Sequence, residues 1–271
     1  MFAEQLCDAV LIVSDMRFPV HRAVLAANSP YFRALFTNGM KETGQREVYL
    51  TDVEPQTIEQ IIDYIYTRSL RITTENVSNL LEHADSFLIS GLVDKCSEFL
   101  KTILSDNNCI QILRFSRRYF RQELESATWR FILANFVQLT KISVEFLHLS
   151  PSELLELVRD DALNVKTEEE TFEAVTRWID FDNSSRSKFL PELMKQMRLG
   201  LLTTEYFLDK VTNHPYVGEN AKECEKSLSD AWDLMYCIKK QGTRGLSLTN
   251  PMVRPRIPYG VLFAIGGWSG E

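Results

Sequence analysis

Short apolar runs alternate with turn residues near the start of the chain. Val10 to Val13 is rich in β-branched side chains, and Ser14-Asp15 separates it from a second run, Met16 to Val20. Runs of this length next to turn residues are typical of strands. Glu47 to Leu50 is a third run of the same kind. The pattern therefore predicts a small sheet of three short strands.

Elsewhere in the first hundred residues the apolar positions recur with a helical period. Three groups have spacings of three and four residues, which place their members on one face of a helix. The groups are Ile58, Ile61, Ile62 and Ile65; Leu80, Ala84, Phe87 and Leu88; and Cys96, Phe99, Leu100 and Ile103. Helices around a short sheet predict a mixed α+β domain over residues 1–104.

From residue 106 onward only the helical period persists. Ser150 to Glu153 and Thr167 to Glu170 each have the pattern of a capping box at a helix start. Apolar stripes follow at Leu190, Leu193, Met194 and Met197, and at Leu228, Ala231, Trp232 and Met235. Residues 105–240 are therefore predicted to form an all-α stack of antiparallel helices, which makes the chain mostly α.

The end of the chain differs from the rest in its glycine and proline content. Residues 241–259 contain both residue types without periodicity, which predicts a linker. Residues 260–271 run from a short apolar stretch into the doublet Gly266-Gly267. A single strand of this kind needs neighbouring strands, so we expect it to be the first strand of a further domain.

Composition and charge narrow the function classes. The chain has 271 residues and a net charge of −7 at pH 7, from 30 Lys and Arg against 37 Asp and Glu. Because nucleic acids and anionic membranes attract positive charge, we expect neither as a partner. No apolar run approaches the roughly twenty residues of a membrane helix. The five cysteines form no paired framework, so we expect reduced thiols and a cytoplasmic protein, with the nucleus as the other compartment.

Residues suited to catalysis are not grouped along the chain. The four histidines lie far apart without a metal-ligand spacing, and no phosphate-binding loop or dinucleotide fingerprint occurs. His21, between a predicted strand and a predicted helix, is expected to be a hydrogen-bonded structural residue. We therefore predict a non-catalytic protein that holds no cofactor and no metal.

Two features leave alternatives open. Cys96 follows Lys95, whose ammonium could lower the thiol pKa and create a redox sensor, but its apolar stripe favours a buried, inert thiol.

Four arginines have the spacing of one helix face. The spacing predicts one of two things: a docking surface for an acidic partner or a nucleic acid, or a solvated face partly paired with Glu123 and Glu125. We favour the solvated face. The arginines are Arg114, Arg117, Arg118 and Arg121.

Read together, several segments resemble a known family. Residues 6–10, 18–27 and 29–32, with Asp63 to Thr67 and Ala84 to Phe87, are similar to the core signature of a BTB (POZ) domain. Phe146 to Leu154 and Ala162 to Val165 resemble a BACK domain. Arg254 to Arg256 and Ala264 to Gly267 resemble the start of the first blade of a kelch propeller, and the tail is most similar to a male germ-cell member. The chain as a whole resembles the kelch-like BTB-BACK-kelch family.

The resemblance implies a substrate-recruiting adaptor of a cullin-3 RING ubiquitin ligase. In that family the BTB domain forms a homodimer and binds cullin-3, the BACK domain completes the groove, and the propeller binds the substrate protein. Met40 and Glu42 match the cullin-binding motif, and Leu6, Asp8 and Arg22 match dimer-interface positions, the last two as a charged pair.

Two departures from the family pattern shape the expectations. Only five residues precede Leu6, where the family has a swapped helix and strand, so we expect a weakened dimer. We also expect the propeller to be absent beyond its first strand. The alternative function is a self-associating BTB scaffold or transcriptional corepressor that does not bind cullin-3.

Overall fold

The computed structural model describes residues 6–37, 45–241 and 250–258, and the chain divides into two units. The first unit comprises residues 1–104 together with 114–125, and the second comprises residues 105–113 together with 126–271. The first is mixed α and β, and the described part of the second is helical, so the predicted fold class is confirmed.

Within the described residues, the sheet of the first unit has three strands in the order β2-β1-β3. The strands are β1 (Ala9–Val13), β2 (Met16–Val20) and β3 (Glu47–Tyr49). β1 pairs antiparallel with β2, which begins after a two-residue turn, and parallel with β3, where Leu11 faces Val48. Because β1 is buried along its whole length, its apolar run is continuous instead of alternating.

Five helices complete most of the first unit. They are α1 (Arg22–Asn28), α2 (Pro30–Thr37), α3 (Pro55–Thr67), α4 (Val77–Ser86) and α5 (Ser90–Thr102). The four isoleucines of the predicted stripe on α3 are all buried, as expected. Ser29, fully buried between α1 and α2, accepts a hydrogen bond at Oγ from the Phe32 N–H (3.0 Å) and donates one to the Phe87 carbonyl oxygen (2.5 Å). This one hydroxyl therefore connects the start of α2 with the end of α4.

The next two helices, α6 (Cys109–Arg118) and α7 (Gln122–Ala134), each contain a boundary between the units. α4 and α6 end in the same way. The N–H of Ile89 donates to the Ala84 carbonyl, as the N–H of Arg121 donates to that of Ser116, and these 6→1 bonds define Schellman ends. The left-handed position is occupied by Leu88 (φ 56°) and Phe120 (φ 54°). The prediction that Leu88 belongs to the buried stripe is therefore wrong, because this turn directs it to solvent, where it is 56% exposed.

Further helices build the second unit. They are α8 (Phe136–Ile142), α9 (Val144–Leu147), α10 (Pro151–Arg159), α11 (Glu168–Asp180), α12 (Asn183–Arg186), α13 (Leu190–Gln196), α14 (Thr204–Tyr206), α15 (Pro215–Glu219) and α16 (Ala221–Gln241). Turns of 3₁₀ type at Ser187–Phe189 and Leu199–Leu201, and of π type at Phe207–Val211, connect some of them.

The core of the second unit is centred on Trp178 of α11. This side chain is fully buried, and its Nε1–H donates to the Leu149 carbonyl oxygen at 2.9 Å. The Arg186 guanidinium lies 4.3 Å from the centre of the indole and donates to the carbonyl oxygens of Leu147 and Trp178. The indole N–H, the Arg186 guanidinium and the backbone carbonyl groups thus meet one another's hydrogen-bonding needs inside the core, and the guanidinium makes a cation–π contact with the indole ring.

The two predicted capping boxes have different outcomes. At α10 both bonds are present, with Ser150 Oγ accepting from the Glu153 N–H and the Glu153 carboxylate accepting from the Ser150 N–H. At α11 the prediction is wrong. The Thr167 side chain makes no cap bond, and the Glu170 carboxylate accepts instead from the backbone N–H of Lys166 at 2.8 Å.

The stripe predicted at residues 190–197 is confirmed, whereas the stripe predicted on α16 is confirmed only in part, because Leu228 is half-buried. All four members of the stripe at residues 190–197 are buried. On α16, Ala231 and Met235 are buried, but Trp232 is 42% exposed because it lies beside the core and stacks on Phe207, with ring centroids 6.2 Å apart. Its assignment to the buried stripe is a second error of the pattern.

Candidate interaction site

The residues predicted for self-association lie at the starts of β1 and α1. Leu6 precedes β1, and its side chain is 78% exposed. Asp8 is also exposed, and its Oδ1 accepts a 2.8 Å hydrogen bond from the backbone N–H of Arg22, the first residue of α1. Because the first N–H groups of a helix have no partner inside the helix, a carboxylate at this position stabilises the helix start.

The Arg22 side chain is held by its own chain. Its Nη2 donates to the Gln45 carbonyl oxygen, and its guanidinium lies 5.3 Å from the centre of the Phe36 ring. The structure thus brings Asp8 and Arg22 into contact within a single chain. Their place at an interface between two chains stays a prediction.

His21, at the N-cap position of α1, has the structural role expected from the sequence. Its backbone N–H donates to the Tyr66 hydroxyl at 2.8 Å, and its Nδ1 lies 2.8 Å from the same oxygen. These bonds attach the start of α1 to α3. Burial is the main cause that raises the pKa of Tyr66, so the phenol stays neutral in this contact.

Met40 and Glu42 lie outside the described residues, so their predicted contact with cullin-3 stays a prediction. The described flanks are Thr37, which ends α2, and Glu47, which begins β3. Glu47 accepts from Arg17 of β2 at 2.5 Å. The segment that carries the motif therefore lies between α2 and β3 in the chain. β3 is one edge strand of the sheet, and its first residue, Glu47, forms an ion pair with Arg17 of β2, the opposite edge strand.

The predicted single basic face on α6 is wrong. α6 ends at Arg118, and the left-handed Phe120 turns the chain before Arg121. Arg121 pairs with Asp85 of α4, and Arg117 pairs with Glu125 at 2.9 Å. Paired arginines present less positive potential to a polyanion, which agrees with the solvated and partly paired alternative. Glu123, the other expected partner, lies 3.3 Å from Lys101 instead.

Cys96 has the environment of an unreactive thiol. It is fully buried in α5, and burial raises the pKa of its thiol to about 12. The neighbouring Lys95 ammonium is directed elsewhere, donating to the Arg68 carbonyl oxygen at 2.9 Å and lying over the Tyr64 ring. Because the thiolate is the nucleophile, the geometry favours the inert alternative over a redox sensor.

Metal-binding clusters and membrane-spanning helices are absent from the described ranges. No group of three or more His, Cys, Asp or Glu side chains there is arranged to hold a metal ion. In the same residues, no helix combines the length and the apolar character that crossing a bilayer requires.

Comparison with known proteins matches both units. The family model of the BTB/POZ domain matches residues 1–104, and the model described as BTB And C-terminal Kelch (BACK) matches residues 109–212. Kelch-like protein 17 of Homo sapiens is 37% identical over an alignment of 267 residues that covers 97% of this chain. The chain belongs to the kelch-like BTB-BACK family. Proteins of this family are adaptors rather than enzymes.

This BTB-BACK chain corresponds to part of its relatives. The alignment covers 41% of human Kelch-like protein 17, and the figures for the same protein of Mus musculus are equal. The chain thus spans about two fifths of the length of the curated relatives it matches. Among solved structures, the BTB domain of zebrafish PATZ1 is 30% identical and aligns with 37% of this chain and 80% of that chain, at a TM-score of 0.34.

Proposed function

We propose that this chain is the cullin-3-binding part of a substrate adaptor for a RING ubiquitin ligase. The observation that carries the proposal is the order of domains, a BTB domain followed in the same chain by a BACK domain of the kelch-like family. The substrate protein binds, in this proposal, to a kelch propeller that follows the BACK domain. The chain itself contributes protein surfaces and no catalytic group.

Met40 and Glu42 are the residues that we assign to cullin-3. A methionine side chain is flexible and polarisable, so Met40 is suited to fill an irregular apolar notch on the partner. Glu42, two residues later, accepts charge-assisted hydrogen bonds at the rim of that notch. Apolar burial supplies most of the affinity in this arrangement, and the carboxylate supplies orientation.

Self-association through the BTB domain is the second part of the proposal. The exposed Leu6 supports it, because a large apolar side chain at the first described residue is available to a second copy of the chain. Asp8 is exposed in the single chain and Arg22 is partly buried, and in this proposal a partner covers both. Breaking such a buried pair by removing one member costs about 3–5 kcal/mol.

Calorimetric titration with the purified N-terminal domain of cullin-3 tests the cullin assignment. We expect submicromolar binding by the wild-type chain and none by the double variant Met40→Ala, Glu42→Lys. The matched control is Lys41→Ala, which alters the residue between them and is expected to bind like the wild type. Far-ultraviolet circular dichroism of every variant checks that the fold is intact.

Three outcomes separate the alternatives. Normal binding by the double variant contradicts the site, even if the chain is an adaptor. Unfolding of the double variant shows that Met40 or Glu42 supports the BTB fold, which also contradicts an exposed site. A folded wild-type chain without affinity for cullin-3 supports the scaffold or corepressor alternative.

A further inference from the structure

Residues 250–258, which we term the strap, pack against the helical part of the second unit, to which they also belong. The strap accepts at its Met252 carbonyl from the Gly200 N–H (3.1 Å), and its Ile257 N–H donates to the Asp161 carbonyl (2.7 Å). Between these two bonds, Val253 is 4% exposed. Both the backbone and an apolar side chain of the strap therefore take part in the packing of the second unit.

One contact of the strap is a buried ion pair. The side chains of Arg256 and Glu168 are each 4% exposed, and two nitrogens of the guanidinium, Nε and Nη2, meet the two carboxylate oxygens. The remaining nitrogen, Nη1, donates to the Asp160 carbonyl oxygen at 2.7 Å. A planar guanidinium with five fixed N–H groups matches this set of acceptors, and a lysine ammonium does not.

A second carboxylate beside this pair binds two more arginines. Asp161 Oδ1 accepts from Arg198 at 2.6 Å, and Oδ2 accepts from Arg254 of the strap at 2.5 Å. Arg198 is buried and also donates to the carbonyl oxygens of Arg159 and Gln196. Arg254 is by contrast 45% exposed. The cluster thus holds one strap arginine in the interior and one at the surface.

We propose that the Glu168 carboxylate and the Asp160 carbonyl form an arginine-recognition site of the second unit that Arg256 of the same chain occupies. A buried guanidinium–carboxylate pair permits only one register, because a shifted strap would leave Glu168 buried without its partner. The strap is then an integral part of the BACK unit, although the matched BACK region ends at residue 212.

This inference bears on the proposed function at one point. A strap of fixed register fixes the position of Pro258, the last residue that the structure describes. If the adaptor proposal holds, this fixed point anchors the chain on the side that leads to the substrate-binding part. The recognition site itself is tested without cullin-3, so its failure and the failure of the adaptor proposal are distinguishable.

Amide hydrogen exchange of the full chain tests the site. In Arg256→Met we expect the amides of Ile257 and Gly200 to exchange about 100-fold faster or more, because breaking a buried pair releases the strap by local opening. The amide of Val175, inside α11, is expected to keep its protection. The matched control Arg254→Met removes an exposed pair, so its strap amides should stay within about fivefold of the wild type.

A second variant displaces the strap without changing a charge. A Cβ at Gly200 would lie 2.7 Å from Val253 Cγ1 and 3.0 Å from the Met252 carbonyl oxygen, so Gly200→Ala should also speed exchange of the Ile257 amide. Strap amides that stay within about threefold of the wild type in a folded Arg256→Met overturn the proposal, as do equal effects of the two arginine variants. If Arg256→Met unfolds, Gly200→Ala decides: selective loss of strap protection supports an integral strap, and unchanged protection overturns it.

Discussion

Replacement of Ser29 by alanine removes a hydroxyl that serves two backbone groups at once. Its Oγ accepts from the N–H of Phe32, the third residue of α2, and donates to the Phe87 carbonyl just beyond α4. Ser29 is fully buried, so neither backbone group can turn to water when the hydroxyl is lost. The change leaves almost no cavity, and the effect is therefore one of hydrogen bonding.

The expected loss is the sum of two contributions. Replacing a serine N-cap by alanine costs about 1 kcal/mol. The lost bond to the Phe87 carbonyl adds about 1 kcal/mol. We therefore expect Ser29→Ala to destabilise the first unit by about 2 kcal/mol, which corresponds to about 30-fold faster exchange of amides that open with this unit.

Native-state hydrogen exchange is the suitable assay because it reports on each unit separately. Tryptophan fluorescence is not, since all four tryptophans, at positions 129, 178, 232 and 268, belong to the second unit. The matched control is Ser86→Ala on α4, where an exposed hydroxyl donates to the Glu82 carbonyl and the same change should alter stability by less than about 0.5 kcal/mol. Exchange at Phe32 within about threefold of the wild type in Ser29→Ala would refute the reasoning.

Two further predictions concern acid stability and self-association. His214 caps α15 through Nδ1, and burial, opposed by Asp180, lowers its pKa. Neutral His214 thus contributes stability that is complete above its unfolded pKa of about 6.5 and is lost as the pH falls through its lower folded pKa. In urea titrations from pH 8 to 5, the wild type should therefore lose stability relative to His214→Asn, which keeps a cap but cannot titrate. A difference in stability between the two proteins that stays constant over this pH range contradicts the prediction. Leu6→Asp should weaken self-association at least about tenfold in sedimentation experiments, because it places a charge in an apolar contact. The control Leu201→Asp, on the second unit, should leave self-association unchanged. Equal dissociation constants for the two variants argue against the Leu6 interface.

The predictions that succeeded rest on local patterns. The isoleucine stripe of α3 and the capping box of α10 depend on residues within one or two turns, where the spacing alone decides which side chains share a face. The first strand was recognisable for the same reason. The assignment of Leu88 and Trp232 to buried faces is wrong because the spacing of apolar residues does not show where a helix ends. Nor does it show how much of the helix face the neighbouring elements cover.

The contacts that periodicity could not predict join distant parts of the chain. Arg256 and Glu168 are 88 residues apart, and nothing near either residue indicates the other. The strap also lies within the range 241–259, whose composition is that of a linker. At the candidate site, only the family resemblance pairs Asp8 with Arg22. The two residues are fourteen positions apart with β1 and β2 between them, so neither a helical nor a strand period relates one to the other.

The ends of α4 and α6 show how one ion pair can support two unfavourable backbone positions. Leu88 and Phe120 each adopt a left-handed conformation, which costs a residue with a side chain about 1–2 kcal/mol. Asp85 adds a further penalty, since a carboxylate in the last turn of α4 lies near the negative end of the helix dipole. Arg121, the residue after Phe120, pairs with Asp85 and neutralises that charge while it ties the two helix ends together. The Schellman bonds satisfy the last carbonyls of both helices, so the strain at Leu88 and Phe120 is offset locally and neither end requires glycine.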